Sequence, residues 1–309
     1  MGLKIKALII MSFILAVTAG CEKKSNPILS EPSSSIYALN GVCTQVDVNQ
    51  FPQNRAFLSI ADQNDQPVFD FSVGNFSVVE ENKPDVVTDV HKVDNNADTL
   101  SIALVLDRSG SMYGSPTDEL NVAAVNFVDQ LGVHDEAEII NFETTVSVSQ
   151  GFTSNKNLLK TAILNAPPGN STALYDAIGQ AVSDLSNRNG RKFVLAMTDG
   201  GENASQTYTG LESITDFANS KGLSVFTVGL GNLTVEQESA LKNLSADSGG
   251  RYLHAANPAD LDTVFQKALN QFNNEVEVHF RTLNSGKRHL KVYMNYGKFT
   301  NAFEKTYGD

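Results

Sequence analysis

The chain has 309 residues, 41% of them hydrophobic, and a formal net charge of −12. That is enough apolar material for a true core and enough length for two domains. An acidic chain with no basic run binds nucleic acid poorly and is repelled by anionic lipid head groups, so the expected partners are proteins, with a cation bridging acid to acid.

The first twenty residues read as an export signal: residues 1–6 are basic, 7–17 are apolar, and Thr18-Ala-Gly-Cys21 follows. The apolar run is too short to span a bilayer. Its Ala-Gly-Cys end resembles a bacterial lipobox, with Thr18 where Leu is usual. The resemblance implies acylation of Cys21 and a lipid anchor in the cell envelope, at the outer membrane if the cell is Gram-negative. Ordinary secretion, with cleavage near Ala19 or Gly20, is the alternative. Cys43 is the second of two cysteines. It is a lone buried thiol if Cys21 is acylated, whereas ordinary secretion opens a Cys21–Cys43 disulfide. Residues 21–36, rich in Ser, Pro and charge, read as a flexible tether.

Alternating strands follow at 56–62, 67–71, 75–80 and 85–93, with turns between, so 37–96 reads as part of a small antiparallel β-sandwich domain. Asp62, Asp65 and Asp70 read as solvated turn residues, because the dense spacing of a Ca²⁺ loop is missing. A polar linker leads to Ser101-Ile-Ala-Leu-Val-Leu106, an unbroken and mostly apolar run typical of a strand buried on both faces. From there helices are predicted at 118–131, 156–164, 172–187, 210–221, 235–246 and 258–272, and strands at 137–142, 145–150, 192–199, 223–229 and 251–254. This alternation gives, over 97–274, an α/β fold: a doubly wound, mostly parallel sheet with one antiparallel edge strand where two strands are joined by a short hairpin. Beyond residue 274 the period returns to two, at 275–280 and 290–294. Two strands are not stable alone. Residues 275–309 are therefore expected to return to the N-terminal β domain, making the α/β domain an insertion.

The chemistry concentrates at three points of that inserted domain. Asp107, Ser109 and Ser111 alternate in the loop after the central strand, Thr172 sits near a helix start in Gly169-Asn-Ser-Thr, and Asp199 closes a second buried strand in Thr-Asp-Gly. Carboxylates and hydroxyls are hard oxygen donors, which suit Mg²⁺. Asp-x-Ser-x-Ser, then Thr, then Thr-Asp-Gly resembles the metal-ion-dependent adhesion site of von Willebrand factor type A domains, integrin I domains included. The resemblance implies that Asp107, Ser109, Ser111, Thr172 and Asp199 hold Mg²⁺, or Mn²⁺ or Ca²⁺ in its place, and that a protein ligand completes the shell with a Glu or Asp. Tyr113 and Glu202 are expected on the rim. The β segment before it is loosely similar to the β-sandwich that precedes type A domains in many exported bacterial proteins.

Catalytic signatures are thin. The five histidines, at 91, 134, 254, 279 and 289, are scattered and form no His-Glu-x-x-His. No P-loop or Gly-x-Ser-x-Gly elbow occurs, and His254 reads as structural. The reading is a non-enzymatic, lipid-anchored envelope protein that binds a protein ligand, with no nucleic acid and no small-molecule substrate. The alternatives are a recognition subunit for an envelope hydrolase, and a structural protein whose metal only stabilises the fold.

Overall fold

The computed structural model describes residues 35–307 except 49, 96, 98 and 285. Cys21, the expected export signal and nearly all of the tether lie outside those residues. The N-terminal strands are β1 (Leu39–Asp47), β2 (Gln53–Asp62), β3 (Phe76–Glu80) and β4 (Lys83–Lys92). Then come β5 (Leu100–Asp107), α1 (Ser115–Gln130), β6 (Glu136–Phe142), β7 (Val146–Thr153), α2 (Lys156–Leu164) and α3 (Leu174–Ser186). β8 (Arg191–Thr198), α4 (Leu211–Ser220), β9 (Ser224–Leu230), α5 (Val235–Ser248), β10 (Tyr252–Ala255) and α6 (Leu261–Phe272) follow. β11 (Val276–Arg281), β12 (Arg288–Tyr296) and β13 (Phe299–Tyr307) close the chain.

The middle of the chain forms a six-stranded sheet in the order β10-β9-β8-β5-β6-β7. All neighbours are parallel except β7, which pairs antiparallel with β6 at the edge. β5 is buried along its whole length. Successive side chains of a strand face opposite sides, so Leu100, Ile102, Leu104 and Leu106 pack toward α1 and α6. Ala103 and Val105 pack toward α3, α4 and α5. A strand with helices on both faces needs apolar residues at every position, which is why its sequence shows a continuous run.

The two ends of the chain build one seven-stranded antiparallel sheet, β1-β2-β11-β4-β3-β12-β13. β11 lies between β2 and β4, and β12 lies between β3 and β13. The ladder curls until its edges meet: a Cβ on Gly41 of β1 would come within 2.5 Å of Phe303 of β13. The enclosed core includes Cys43, Leu58, Val278, Phe280, Val292 and Tyr296. Cys43 is a free thiol there, and burial pushes it up to about 12. Residues 67–71, expected as a strand, make only an isolated bridge between Pro67 and Ala61. Phe71 instead plugs the core, edge-on to Phe76 and Tyr296.

The two sheets meet at the N-terminal ends of β5 and β8. Gln45 donates to the Gly190 carbonyl (2.9 Å) and accepts from the Lys192 N–H (2.9 Å). Buried Glu275 takes a hydrogen bond from Thr44 and faces the Arg191 guanidinium at 3.5 Å. Burial raises Glu275 to about 7, against the pull of Arg191. Buried Lys305 reaches across from β13 to the Ser248 carbonyl (2.6 Å) and Ser224 Oγ (2.9 Å), and burial lowers it to about 8.

Candidate metal centre

β5 and β8 run side by side and parallel, so their C-terminal ends open on one edge of the sheet. In open α/β sheets the crevice at such ends is where ligands sit. Asp107 is the last residue of β5, and Asp199 follows the last residue of β8. After Asp107 the chain tightens into a 3₁₀ turn, Gly110–Met112, which folds the two serines back over the strand end. The Ser109 N–H donates to Asp107 Oδ1 (2.8 Å), the hydroxyls of Ser109 and Ser111 are 3.3 Å apart, and Ser111 Oγ donates to Asp199 Oδ1 (2.7 Å). Four of the five expected residues thus form one connected cluster.

Thr172, the fifth, is buried in the loop before α3. Its N–H donates to Asn203 Oδ1 (2.9 Å), and its carbonyl accepts from the N–H groups of Asn203 (3.0 Å) and Ala204 (3.2 Å). The same loop is laced to the serine loop: Gly169 N–H donates to the Arg108 carbonyl (2.7 Å), and Gly110 N–H to the Asn170 carbonyl (3.3 Å). Among the described residues, the Thr172 hydroxyl makes no hydrogen bond to the other four.

Burial pushes Asp107 up to about 6, against the hydrogen bonds from Ser109 and Thr198 that favour its ionised form. Burial raises Asp199 as well, against the bond from Ser111. The adjacent cation does not answer them. Arg108 turns away and donates to Asn141 Oδ1 (2.8 Å), Asn121 Oδ1 (2.8 Å) and the Ile163 carbonyl (3.0 Å). Among the described residues neither aspartate has an ion-pair partner. Two desolvated carboxylates ringed by hydroxyls, with no positive side chain upon them, make a donor set that fits a hard divalent cation.

The family model for the von Willebrand factor type A domain matches residues 101–267, more than half of the chain. The chain belongs to this family. Among solved structures, a von Willebrand factor type A protein from Catenulispora acidiphila aligns over 89% of this chain and 74% of its own, at 10% identity and a TM-score of 0.52. The mussel byssus proximal thread matrix protein 1, in a structure described as having a zinc-occupied MIDAS motif, aligns over 62% of this chain and 49% of its own, at 18% identity and a TM-score of 0.52. At these identities the likeness is one of fold. An uncharacterized protein, sll0103, from Synechocystis sp. is 23% identical over 57% of this chain and 42% of its own length, so the match spans less than half of that relative.

Within the type A domain one residue of the cluster is not among the expected five. Thr198 Oγ1 donates to Asp107 Oδ2 (2.6 Å) and accepts from the Gly200 N–H (3.1 Å). It therefore fixes the central carboxylate from the neighbouring strand. The signal available in sequence was its place beside Asp199 at a strand end. The two expected rim residues part company. Tyr113 is 76% exposed, so its ring projects into solvent beside the serine loop. Glu202 is half-buried and spends both carboxylate oxygens on internal hydrogen bonds. Oε2 accepts from the Tyr175 N–H (2.8 Å) and the Ser205 hydroxyl (2.7 Å), and Oε1 from the N–H groups of Ala204 (2.8 Å) and Ser205 (2.6 Å). His254 ties its strand end to the Gly231 carbonyl (2.9 Å).

Proposed function

We propose that the chain is an exported envelope binding module that holds a protein ligand through a divalent cation, Mg²⁺ foremost, at Asp107, Ser109, Ser111, Thr172 and Asp199. The observation that carries this is the convergence of a buried and a half-buried carboxylate, Asp107 and Asp199, neither with an ion-pair partner among the described residues, with the hydroxyls of Ser109 and Ser111 in one crevice of a type A domain. Asp107 and Asp199 supply charge, the serine and threonine hydroxyls orient around it, and Thr198 holds Asp107 in place. When bound, the ion offers an electrophilic position to a partner's Glu or Asp, an anchor that an acidic surface could not otherwise extend to an acidic ligand. The zinc-occupied motif of the mussel protein supports a divalent ion in this fold. Tyr113 belongs to the ligand-facing rim.

In the same reading, residues 1–20 are the signal, 21–36 the tether anchored through acylated Cys21, 37–96 and 275–309 the β domain, and 97–274 the inserted type A domain. The β domain sits at the N-terminal ends of β5 and β8, whereas the crevice lies at their C-terminal ends. Eight residues of β5 put about 23 Å between the two at roughly 3.3 Å per residue. The crevice therefore faces away from the anchored end.

The test is affinity purification of the intact protein in Mg²⁺ with EDTA elution, beside Asp107→Ala. Proteins released by EDTA from the wild type alone are the expected result. An identical set from the variant would overturn the reading, and so would a protein that Mg²⁺ stabilises to heat but that releases no partner with EDTA.

A further inference from the structure

A second group of side chains with ligand chemistry lies on the β domain, on the strands that cross into the type A domain. In the antiparallel pair β4–β11, His91 stands opposite Glu277 and Asp89 opposite His279. Val276, Val278 and Phe280 turn into the core. Strand alternation therefore puts Glu277, His279, His91 and Asp89 together on the other face.

His91 Nε2 is 3.3 Å from Glu277 Oε2, and His279 Nε2 is 2.8 Å from Glu277 Oε1. One ligand atom from each of the three residues lies within 4.8 Å of the others. A tetrahedral zinc ion, with ligands at about 2.0–2.1 Å, spaces them by about 3.4 Å, so small side-chain rotations close the set. The ring contacts point the same way. His91 Nδ1 faces Asp89 Oδ2 at 3.1 Å. With that nitrogen turned to Asp89, Nε2 is the ring nitrogen that faces Glu277 Oε2, the place a shared cation would take. His279 Nε2 is shielded from solvent and lies 2.8 Å from Glu277 Oε1. Carboxylate behind histidine is also the arrangement that orients metal-bound imidazoles.

Arg55 also holds Glu277. It donates to Glu277 Oε1 (2.9 Å) and to Asp47 Oδ2 (2.7 Å), and Glu277 Oε2 faces His91. Glu277, Asp89 and Asp47 set three carboxylates around the two imidazoles and Arg55, surroundings that suit a cation. Two imidazoles and a carboxylate select Zn²⁺ over Mg²⁺. The His91 side chain is 44% exposed, which leaves a coordination position open to water.

We propose that His91, Glu277 and His279 form a second metal site, for Zn²⁺, that clasps β4 to β11. These are the strands by which the chain enters and leaves the type A domain. The site thus staples the two crossings where rotation between the domains would begin.

The experiment uses full-length protein in detergent, in an Asp107→Ala background with excess Mg²⁺ so that the type A crevice does not report. Equilibrium dialysis against Zn²⁺ should give about one ion per chain, and Zn²⁺ should raise the melting temperature. His91→Gln, at a half-exposed position, should lose both effects, and His279→Gln likewise. Asp89→Asn, which leaves the ligands in place, should weaken Zn²⁺ by about tenfold. Absence of zinc from the Asp107→Ala protein would overturn the proposal, as would unchanged zinc binding by His91→Gln.

Discussion

Burial lifts Asp107 from an ordinary 3.8 to about 6, so the metal-free fold at pH 7 holds an ionised carboxylate whose charge costs more there than in the unfolded chain. A carboxyl raised on folding destabilises the protein above its folded pKa, by about 3 kcal/mol for a shift of this size. The penalty is relieved as pH falls through about 6 toward 4. A divalent cation supplies the missing opposite charge and reverses this preference. In EDTA, the wild type should therefore gain stability between pH 7 and pH 5 relative to Asp107→Asn, and Mg²⁺ should abolish that difference. Urea denaturation at the two pH values measures it. Other raised acids, Glu275 among them, titrate in both proteins and cancel in the comparison. Superimposable pH dependences would show that Asp107 is not strained. Thr198→Val is a second residue-scale test. It keeps the buried volume of β8 but removes the hydroxyl held on Asp107 Oδ2, and should weaken Mg²⁺ by about tenfold by loosening a ligand. Unaltered affinity in calorimetric titration would mean that the other contacts suffice to orient Asp107.

The loop holding Thr172 owes its position to Gly169. A Cβ there would lie 2.2 Å from the Cβ of Glu143, an atom fixed to the backbone that no rotamer change can move. Gly169→Ala must shift the loop off its bonds to Arg108 and Gly110. It should cost about 1–3 kcal/mol, the usual range for overpacking, and lower Mg²⁺ affinity with it. Denaturation and titration of the variant check both, and wild-type values for the two would refute the account. Elements differ in how far they could be read in advance. β5 declared itself because helices cover both its faces, leaving every position apolar. β1 and β13 did not, and the reason is physical. Thr44, Gln45 and Asp47 of β1 and Lys305 of β13 are buried polar residues satisfied by partners outside their own strand: Glu275, Gly190, Arg55 and Ser248. Local alternation fails where tertiary bonds make a polar residue comfortable inside. The three candidate metal-site motifs were legible because Asp107 and Asp199 close apolar strand runs and Thr172 sits just before a helix, while Thr198 and the bracing carboxylate of Glu202 became visible only once neighbouring loops were in place.

At the scale of the whole molecule, sheet order decides which pieces can stand alone. β11 is the strand between β2 and β4, and β12 is the strand that joins β3 to β13. Both come from the far end of the chain, after the type A domain. A fragment of residues 37–97 would keep β1–β2 and β3–β4 as separate hairpins with an empty position between them. It would also expose Leu58, Ile60 and Val78, which are buried in the intact protein. Isolated two-stranded hairpins are marginal in water. A fragment of residues 97–274 keeps the six-stranded sheet and both of its helical layers, and loses mainly the polar docking surface around Arg191, Ser224 and Ser248. Arg191 gives up its partner Glu275 there, but it gains water at the same time, which softens the loss. The expected outcome is a cooperative thermal transition for 97–274, with Mg²⁺ binding retained, and none for 37–97. Adding residues 275–309 to the short fragment through a flexible linker should restore a transition, because that strand set fills the vacant position between β2 and β4. Calorimetry on the three fragments measures this directly. A cooperative melt of 37–97 alone would mean that the hairpins associate without β11, and that the two halves of the β domain are stitched by the chain rather than by the sheet.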